Sequence, residues 1–387
     1  MKKSLALLIS LVLCIGAYAQ DWHPSDKETT AEAIALYSRL QRIQKIGCMY
    51  GHQDDLMCGS TWWWELGRSD TKEAVGDYPA VAGFELGELE LGGFKSLDDV
   101  EFYNIVDRIK WFHKQKGIIT LSWHVVNPIS SQWPGVKEAN GAGSAWEVDF
   151  LSEDGENAVR SVLPGGQNHA MFNSWLKRLA DFLLCLRDDD GNLIPVLFRP
   201  WHEHSGSFFW WGRTRCTDEE FARLYRYTVD YLRGKGCHHV LFMYNTDKVY
   251  SEEEYLAGYP GDDYVDILSI DWYGSGEEFN INIDKALSFT TALAEKKHKL
   301  HALSECGPLS EDLQKILSKY NSTYVLTWRN APKGHDDRGF NAKKTYPRQE
   351  GKRPNAGSAQ RPKTSELLKL MKDNKHYLFY EDIKDIK

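Results

Sequence analysis

Residues 195–212 read "PVLFRPWHEHSGSFFWWG". An apolar run of strand length ends in Arg199, two histidines and Glu203, and four aromatic residues follow at 208–211. An apolar stretch that stops at polar residues is typical of a buried parallel strand with functional groups at its carboxyl end. Seven other runs have the same form, at 47–55, 79–87, 117–128, 239–247, 265–274, 300–307 and 322–330.

Helical patterns lie between most of these runs. Thr29-x-x-Glu32 is a capping box that predicts a helix to about Ile46, and Thr217-x-x-Glu220 predicts a second helix that ends at Gly234. Eight strands alternating with helices predict an α/β fold, a single (β/α)8 TIM barrel. The alternative is a doubly wound open sheet, which normally carries a glycine-rich phosphate loop, and the sequence shows no such loop.

The carboxyl ends of barrel strands form one mouth, where chemistry takes place. Side chains of a strand alternate between two faces, so every second residue should point into the barrel lumen. Polar residues near the mouth on that face predict a polar site. The sets expected to share a face are Thr120, Ser122 and His124; Arg199, Trp201 and Glu203; Ser269, Asp271 and Tyr273; and Tyr324, Leu326 and Trp328.

Residues 1–19 have the pattern of a signal peptide. Two lysines precede an apolar run, and Ala17-Tyr18-Ala19 is a small-x-small cleavage site before Gln20. We therefore expect residues 20–387 to form the catalytic domain of an exported protein, periplasmic or extracellular. Cys14 raises the alternative of a lipoprotein, which the bulky Leu13 before it disfavours. No other stretch reaches the roughly 20 apolar residues of a membrane span.

Charge and composition narrow the function classes further. Removal of Lys2 and Lys3 with residues 1–19 makes the formal net charge −10 instead of −8, and an acidic chain lacks the basic surface that nucleic acid binding needs. The 14 tryptophans and 19 tyrosines suit a protein that stacks sugar rings, although core packing also uses aromatics. Cys48 and Cys58 are either a disulfide pair or small buried side chains. We expect a monomer without a cofactor.

Two long segments interrupt the alternation of strands and helices. Residues 126–168 contain Trp133 and Trp146, and we interpret this segment as a wall of the cleft. Residues 331–362 are rich in Lys, Arg, Pro and Gly, a composition that fits either a functional loop or a mobile surface segment.

Glu203 and Glu305 end the fourth and seventh predicted strands, which lie opposite each other in an eight-stranded barrel. Glycoside hydrolysis needs two carboxyl groups across a cleft, one to protonate the leaving oxygen and one to attack or to activate water. The alternative is two unrelated glutamates, one of them paired with Arg199. The residues alone leave both interpretations open.

A metal site at His202 and His204 is the competing interpretation of the same stretch, with His52 and His124 as further ligands. Zinc hydrolases place two histidines four residues apart on a helix or gather ligands from several strands. Here the histidines are two residues apart at a strand end, and strict alternation puts both on the face opposite Glu203. We therefore predict no metal.

At these residues the chain resembles glycoside hydrolase family 26, best known for β-mannanases. The family's strand-four motif, R-P-x-H-E-x-x-G-x-W-F-W-W-G, corresponds to residues 199–212, and its Ser-Glu-x-Gly motif to Ser304, Glu305 and Gly307. Further similar segments are "YGHQDD" (50–55), "SWHVVNP" (122–128), "LPGGQNH" (163–169), "YPGDDYVDILSIDWYG" (259–274) and "TWRN" (327–330). The resemblance covers roughly residues 30–330.

The resemblance implies a retaining β-1,4-mannan hydrolase in which Glu203 is the acid/base and Glu305 the nucleophile. Tyr273 and Arg199 would donate hydrogen bonds to Glu305. The other implied substrate-binding residues are His124 and His202 at the point of cleavage, Trp328 beneath that sugar, Arg329 at the next subsite, Asp271 at the mouth, and Phe208 and Trp211 as part of an aromatic floor.

Two positions depart from the family pattern. Phe208 stands where the family usually has Trp, and Glu85 where Asp is expected, so Glu85 receives no role. The alternatives in substrate are a β-glucanase or a β-1,3-xylanase, since the family includes such enzymes. The alternatives in class are a non-catalytic sugar-binding protein, which would need one glutamate lost, and a metal-dependent deacetylase or amidohydrolase.

Overall fold

The computed structural model describes residues 22–132, 144–152, 155–330 and 362–387. Within these ranges nine strands form one sheet, and all their pairings are parallel. The strands are β1 (Cys48–Gln53), β2 (Val81–Glu85), β3 (Ile118–Ser122), β4 (Val196–Arg199), β5 (Val240–Thr246), β6 (Ile267–Trp272), β7 (Leu300–Cys306), β8 (Tyr324–Thr327) and β9 (Tyr377–Leu378).

The first eight strands close into a barrel. They follow each other in chain order from β2 to β8, β8 pairs with β1, and β1 pairs with β2. The predicted (β/α)8 fold is thus confirmed, and each predicted run contains one of these strands. The sequence did not predict the short β9, which pairs with the first two residues of β1, Cys48 and Met49.

Helices surround the barrel. They are α1 (Ala31–Ile46), α2 (Asp70–Val75), α3 (Phe102–Lys114), α4 (Ala158–Val162), α5 (His169–Cys185), α6 (Asp218–Gly234), α7 (Glu252–Leu256), α8 (Glu277–Lys296), α9 (Glu311–Leu317), α10 (Pro362–Asp373) and α11 (Tyr380–Ile383). No helix in the described ranges is long and apolar enough to cross a bilayer. The expected signal peptide at 1–19 lies outside those ranges, as do Trp133 and residues 331–361.

The helix ends correct the predicted boundaries slightly. Thr217 and Glu220 form the expected capping box of α6, but that helix runs through Gly234 to a cap at Lys235. At α1 the N-cap is Thr30, whose hydroxyl accepts from the backbone of Ala33 at 3.3 Å. The Thr29 hydroxyl donates to the Asp26 carbonyl instead, so the predicted box was wrong by one residue.

Apolar side chains pack in two layers. One fills the barrel and continues into α1, which contacts β1, β5 and β7; its strand residues include Met49, Leu197, Met243 and Leu326. The other lies between the strands and the outer helices. Cys48, in this second layer, and Cys58 are both buried free thiols, so they are small buried side chains and not a disulfide pair.

Candidate active site

Glu203, Asp271 and Glu305 meet at the mouth of the barrel. One carboxylate oxygen of each lies within 4.8 Å of those of the other two, and all three side chains are buried. Glu305 belongs to β7, whereas Glu203 lies four residues beyond the end of β4. The expected meeting of the two glutamates across the mouth is therefore present.

The backbone after β4 does not stay extended, and this corrects the expected alternation. Trp201 and Glu203 both adopt left-handed conformations, with φ of 54° and 55°. Trp201 consequently points away from the lumen and donates its indole N–H to Thr228 of α6 at 3.0 Å. His202 and Glu203 both reach the mouth, although they are consecutive. Left-handed backbone at a non-glycine residue costs about 1–3 kcal/mol and is concentrated at functional sites.

Arg199 and Tyr273 hold the Glu305 carboxylate from two sides. Nη2 of Arg199 donates to Oε2 at 2.6 Å, and the Tyr273 hydroxyl donates to Oε1 at 2.6 Å. Nη1 of Arg199 donates to Asp271. Burial lowers the pKa of Arg199, but the two carboxylates outweigh it and raise the pKa overall, so the guanidinium stays charged. The arrangement places a positive charge and a hydroxyl donor on the Glu305 carboxylate and fixes its orientation.

A bulge in β7 brings Asp271 level with Glu305. Ile270 pairs with Leu303, but the next residue, Asp271, pairs with Glu305, so Ser304 is an extra residue on β7. Bulges re-aim side chains beside functional sites. The Ser304 hydroxyl donates to Asp271 Oδ1 at 2.8 Å. Asp271 is fully buried and its carboxylate accepts from Arg199, while its expected contact with substrate stays a prediction.

Asn245 at the end of β5 fixes the position of Glu203. Its side-chain oxygen accepts the backbone N–H of Glu203 at 2.8 Å, while its nitrogen donates to Asp271 at 2.8 Å and to Ser304 at 2.7 Å. Asn245 was not among the residues predicted from the sequence, although its place in a strand-end motif, "YNTD", was a usable signal.

The surroundings of Glu203 favour the protonated form of its carboxyl group. Burial raises the pKa of its carboxyl well above the usual value, and the charges of Glu305, Asp271 and Asp247 raise it further, while Arg199 opposes them. Two nearby carboxyl groups in different environments can therefore differ in protonation at the same pH, one neutral and one ionised.

His124 and His202 form a second polar group beside the carboxylates. Their Nε2 atoms lie 3.0 Å apart, a hydrogen bond that needs one proton between the two nitrogens. Burial, the Arg199 charge and His124 hold the pKa of His202 well below its ordinary value. Burial also opposes a proton on His124, but Glu85 outweighs it and raises the pKa of His124. The proton therefore belongs to the His124 side.

Glu85, which received no role from the sequence, orients His124. Its carboxylate accepts from His124 Nδ1 at 2.8 Å, from the His124 backbone at 2.8 Å and from the Ser122 hydroxyl at 2.5 Å. Burial alone would raise the pKa of Glu85, but these contacts lower it to about 2. A polar residue at the end of β2 was the available signal.

The aromatic run divides into core and surface. Trp211 has no exposed surface: it stacks on Phe209 with ring centroids 4.5 Å apart and donates to the His202 carbonyl at 2.9 Å. Its expected contact with substrate is therefore corrected to a packing role beneath His202. Phe208 is 39 % exposed and remains available at the surface. Trp328 is half-buried with its ring 5.9 Å from that of His124.

Arg329 is buried and paired. Its Nη2 lies 2.8 Å from Asp98 Oδ1, and both side chains are at most 5 % exposed. Asp98 belongs to the loop after β2, so this ion pair ties the end of β8 to a neighbouring loop of the mouth. Nothing in the sequence pattern singled out Asp98.

His202 and His204, on either side of Glu203, do not point toward a shared metal site. His204 stacks on Phe221 with centroids 4.0 Å apart, and its ring nitrogens contact the carbonyls of Asn245 and Ala257. The described residues contain one group of three potential metal ligands, namely Glu203, Asp271 and Glu305. Arg199 already places its positive charge on the last two.

At the mouth of this closed parallel barrel, the Glu305 carboxylate is held by two donors and lies beside the buried Glu203, whose pKa is raised. Glycoside hydrolysis uses such a pair of carboxyl groups. Comparison with known proteins identifies the family of the chain. Residues 25–345 match the model of glycosyl hydrolase family 26, and the chain belongs to this family.

Individual relatives are similar along most of this chain. A mannan endo-1,4-beta-mannosidase from Bifidobacterium adolescentis is 31% identical over 81% of this chain, which spans 32% of that protein's length. One from Bacillus subtilis is 25% identical, covering 85% of this chain and 89% of its own. A family 26 beta-mannanase structure from Bacteroides ovatus has a TM-score of 0.78 and 35% identity, covering 93% of this chain and 98% of that one.

Proposed function

We propose that this protein is a retaining β-1,4-mannan hydrolase acting on mannan, galactomannan or glucomannan. The observation that carries the proposal is the pair Glu203 and Glu305. One oxygen of each lies within 4.8 Å of the other, Glu305 is braced by two donors, and the pKa of Glu203 is raised. Retaining enzymes have carboxyl groups about 5–5.5 Å apart and inverting ones roughly 6.5–9.5 Å, so this distance favours retention.

In the first step Glu203 gives its proton to the glycosidic oxygen while Glu305 attacks the anomeric carbon, and a covalent glycosyl-enzyme forms as the leaving sugar departs. In the second step Glu203, now ionised, takes a proton from water, which displaces Glu305. Arg199 and Tyr273 hold the Glu305 carboxylate in a fixed orientation before the attack.

The family relation and the named relatives support mannan as the substrate. The Bifidobacterium and Bacillus relatives are both named mannan endo-1,4-beta-mannosidases. An endoglucanase H from Acetivibrio thermocellus also matches, 37% identical but over only 21% of this chain. We place the sugar at the point of cleavage between Trp328 and the His124–His202 pair, with Arg329 serving the next subsite and Phe208 the leaving-group side.

Product analysis tests this proposal. Purified protein should release oligosaccharides from linear mannan faster than from mixed-linkage glucan or β-1,3-xylan, and NMR should show the β-anomer as the first product. Faster cleavage of the glucan or the xylan would replace mannan by that polymer, and an initial α-anomer would contradict double displacement.

We also propose that residues 1–19 direct export to the periplasm or the exterior and are then removed. The support is the sequence pattern alone. Mass spectrometry of the exported protein should give a chain that begins at Gln20, and retention of residues 1–19 in that protein would contradict the proposal.

A further inference from the structure

Two exposed aromatic rings lie on neighbouring loops beside the mouth. Trp64 follows β1 and is 38% exposed, and Phe94 follows β2 and is 72% exposed. Lys95 Nζ lies 5.5 Å from the Trp64 ring centroid and 5.7 Å from that of Phe94. Single exposed aromatics are common on protein surfaces, but a pair around one ammonium group forms a defined apolar and polar surface.

The backbone presents Trp64 in a strained conformation. Its φ is 58°, in the left-handed region that bulky residues rarely occupy. Three contacts hold this backbone. The Trp64 N–H donates to the Met57 carbonyl at 2.8 Å, and the Trp64 carbonyl accepts from the largely buried Arg108 at 3.0 Å. The preceding residue, Trp63, forms an isolated antiparallel β-bridge with Cys58. Backbone strain that the surroundings enforce is concentrated at ligand-binding sites.

The Phe94 loop is also rigidly built. The backbone of Phe102 donates to the Phe94 carbonyl at 3.0 Å, and Ser96 donates to Val100 at 2.7 Å. Lys95 pairs with Glu101 across the loop as an isolated β-bridge. The two rings therefore sit on fixed supports, and little conformational entropy is lost when a ligand binds them.

Both loops are continuous with the proposed cleft. The Phe94 loop contains Asp98, which holds Arg329 at 2.8 Å. The Trp64 loop contains Cys58, whose thiol contacts the carbonyl of Asn330 at 3.4 Å. These two contacts connect the loops that carry Trp64 and Phe94 to the end of β8 beside Arg329.

We propose that Trp64, Phe94 and Lys95 form a polysaccharide-binding platform outside the catalytic cleft, which holds a β-linked hexopyranose chain beyond Arg329. The apolar faces of sugar rings stack on the two aromatic rings, and the ammonium group donates to ring hydroxyls. The identity of the bound polysaccharide rests on the proposed function, whereas the binding surface depends only on Trp64, Phe94 and Lys95.

The test compares the Trp64→Ala/Phe94→Ala double variant with wild type on a long and a short substrate. We expect kcat/KM on linear mannan to fall about tenfold, while kcat/KM on an aryl mannobioside too short to reach the platform stays unchanged. Ile281→Ala, which removes an exposed apolar side chain on α8, is the matched control and should change neither. Equal loss on both substrates, or no loss on mannan, would overturn the platform.

A binding measurement separates this inference from the proposed function. In a Glu305→Ala background, affinity electrophoresis through gels with galactomannan or mixed-linkage glucan needs no turnover. The platform is supported if either polymer retards the protein and the Trp64→Ala/Phe94→Ala substitutions abolish this retardation. If only glucan retards the protein, the choice of mannan is wrong but the platform stands. Unchanged retention in the double variant would overturn the platform. Self-association of the wild type that is lost in the double variant would also overturn it, because the two rings would then form a contact between protein molecules.

Discussion

Arg199 and Glu305 form a buried ion pair at 2.6 Å across the barrel mouth, and the other terminal nitrogen of the same guanidinium contacts Asp271. One cation thus compensates two carboxylates, and Glu203 beside them has no such contact with it. This difference in environment is the physical basis for giving the two glutamates different roles.

The two glutamates should differ on an activated aryl glycoside. Glu305→Ala removes the proposed nucleophile and should abolish turnover on every substrate. Glu203→Ala should lower mannan hydrolysis by about 10²- to 10⁴-fold, yet still release an activated aryl group in a rapid burst, because that leaving group needs no proton. Stopped-flow release of the phenol measures the burst. A burst in Glu305→Ala and none in Glu203→Ala would reverse the assignment.

The pH dependence of activity should respond to Asp247. The first step needs protonated Glu203, so kcat/KM should fall as pH rises through the raised pKa of that group. Asp247 contributes to the rise, and Asp247→Asn should move this basic limb to lower pH. Asp189→Asn, at an exposed residue paired with Lys114, is the control and should leave the profile unchanged. A shift to higher pH in Asp247→Asn would contradict the electrostatic account.

Glu85→Gln should destabilise the protein in a pH-dependent way. The pKa of Glu85 is lowered to about 2, so its ionised form stabilises the fold above the unfolded value of about 4.5, and this stability is lost as pH falls toward 2. We expect a loss of about 3–5 kcal/mol near neutral pH, because one partner of a buried pair is removed. Urea unfolding between pH 7 and pH 3 measures the difference between wild type and variant, which should shrink on acidification.

The same substitution should lower kcat/KM, since Glu85 orients His124. The control is Glu65→Gln, at an exposed partner of Arg68, which should cost less than about 1 kcal/mol at any of these pH values. A destabilisation by Glu85→Gln that is independent of pH would mean that packing, and not charge, is the contribution of this side chain.

Trp211 and Phe208 should separate stability from activity. Trp211→Ala empties a fully buried site and should cost about 3–5 kcal/mol of unfolding free energy. Phe208→Ala should change stability by no more than about 0.5 kcal/mol but lower kcat/KM on mannan. Chemical denaturation and initial rates on the two variants measure both effects. A folded and fully stable Trp211→Ala with weak substrate binding would restore the original expectation of direct contact.

Arg329 and Trp328 should differ in substrate selectivity. A flat ring beneath a sugar does not tell epimers apart, so Trp328→Ala should lower kcat/KM on mannan and mixed-linkage glucan alike. The fixed donors of Arg329 recognise a hydroxyl arrangement, so Arg329→Ala should weaken mannan hydrolysis by about 1–3 kcal/mol and glucan hydrolysis less.

Arg329→Ala also removes the arginine that pairs with the buried carboxylate of Asp98. The substitution therefore affects protein stability as well as substrate binding. The Arg329→Ala/Asp98→Asn double variant removes that negative charge as well. It should unfold at a higher urea concentration than Arg329→Ala alone but hydrolyse mannan no faster. Recovery of activity in the double variant would show that Arg329 acts only by neutralising Asp98.

The barrel and the two glutamates could be predicted from the sequence because the signals are local. Each strand is a short apolar run ending in polar groups, and parallel strands of a closed barrel bring those ends together whatever the loops do. The motifs at 199–212 and at Ser304 and Glu305 identified the family for the same reason: their residue types and spacing are visible without a fold.

Tertiary structure alone decided which way the side chains point and what they touch. The left-handed backbone at Trp201 and Glu203 and the extra residue at Ser304 break the two-residue alternation that a sequence argument assumes, so Trp201 turns outward and Asp271 moves level with Glu305. Burial separates Trp211 from Phe208 inside one aromatic run. The partners Asn245 and Asp98 come from distant segments, and such long-range contacts depend on the register and packing of the whole barrel, which no local pattern encodes.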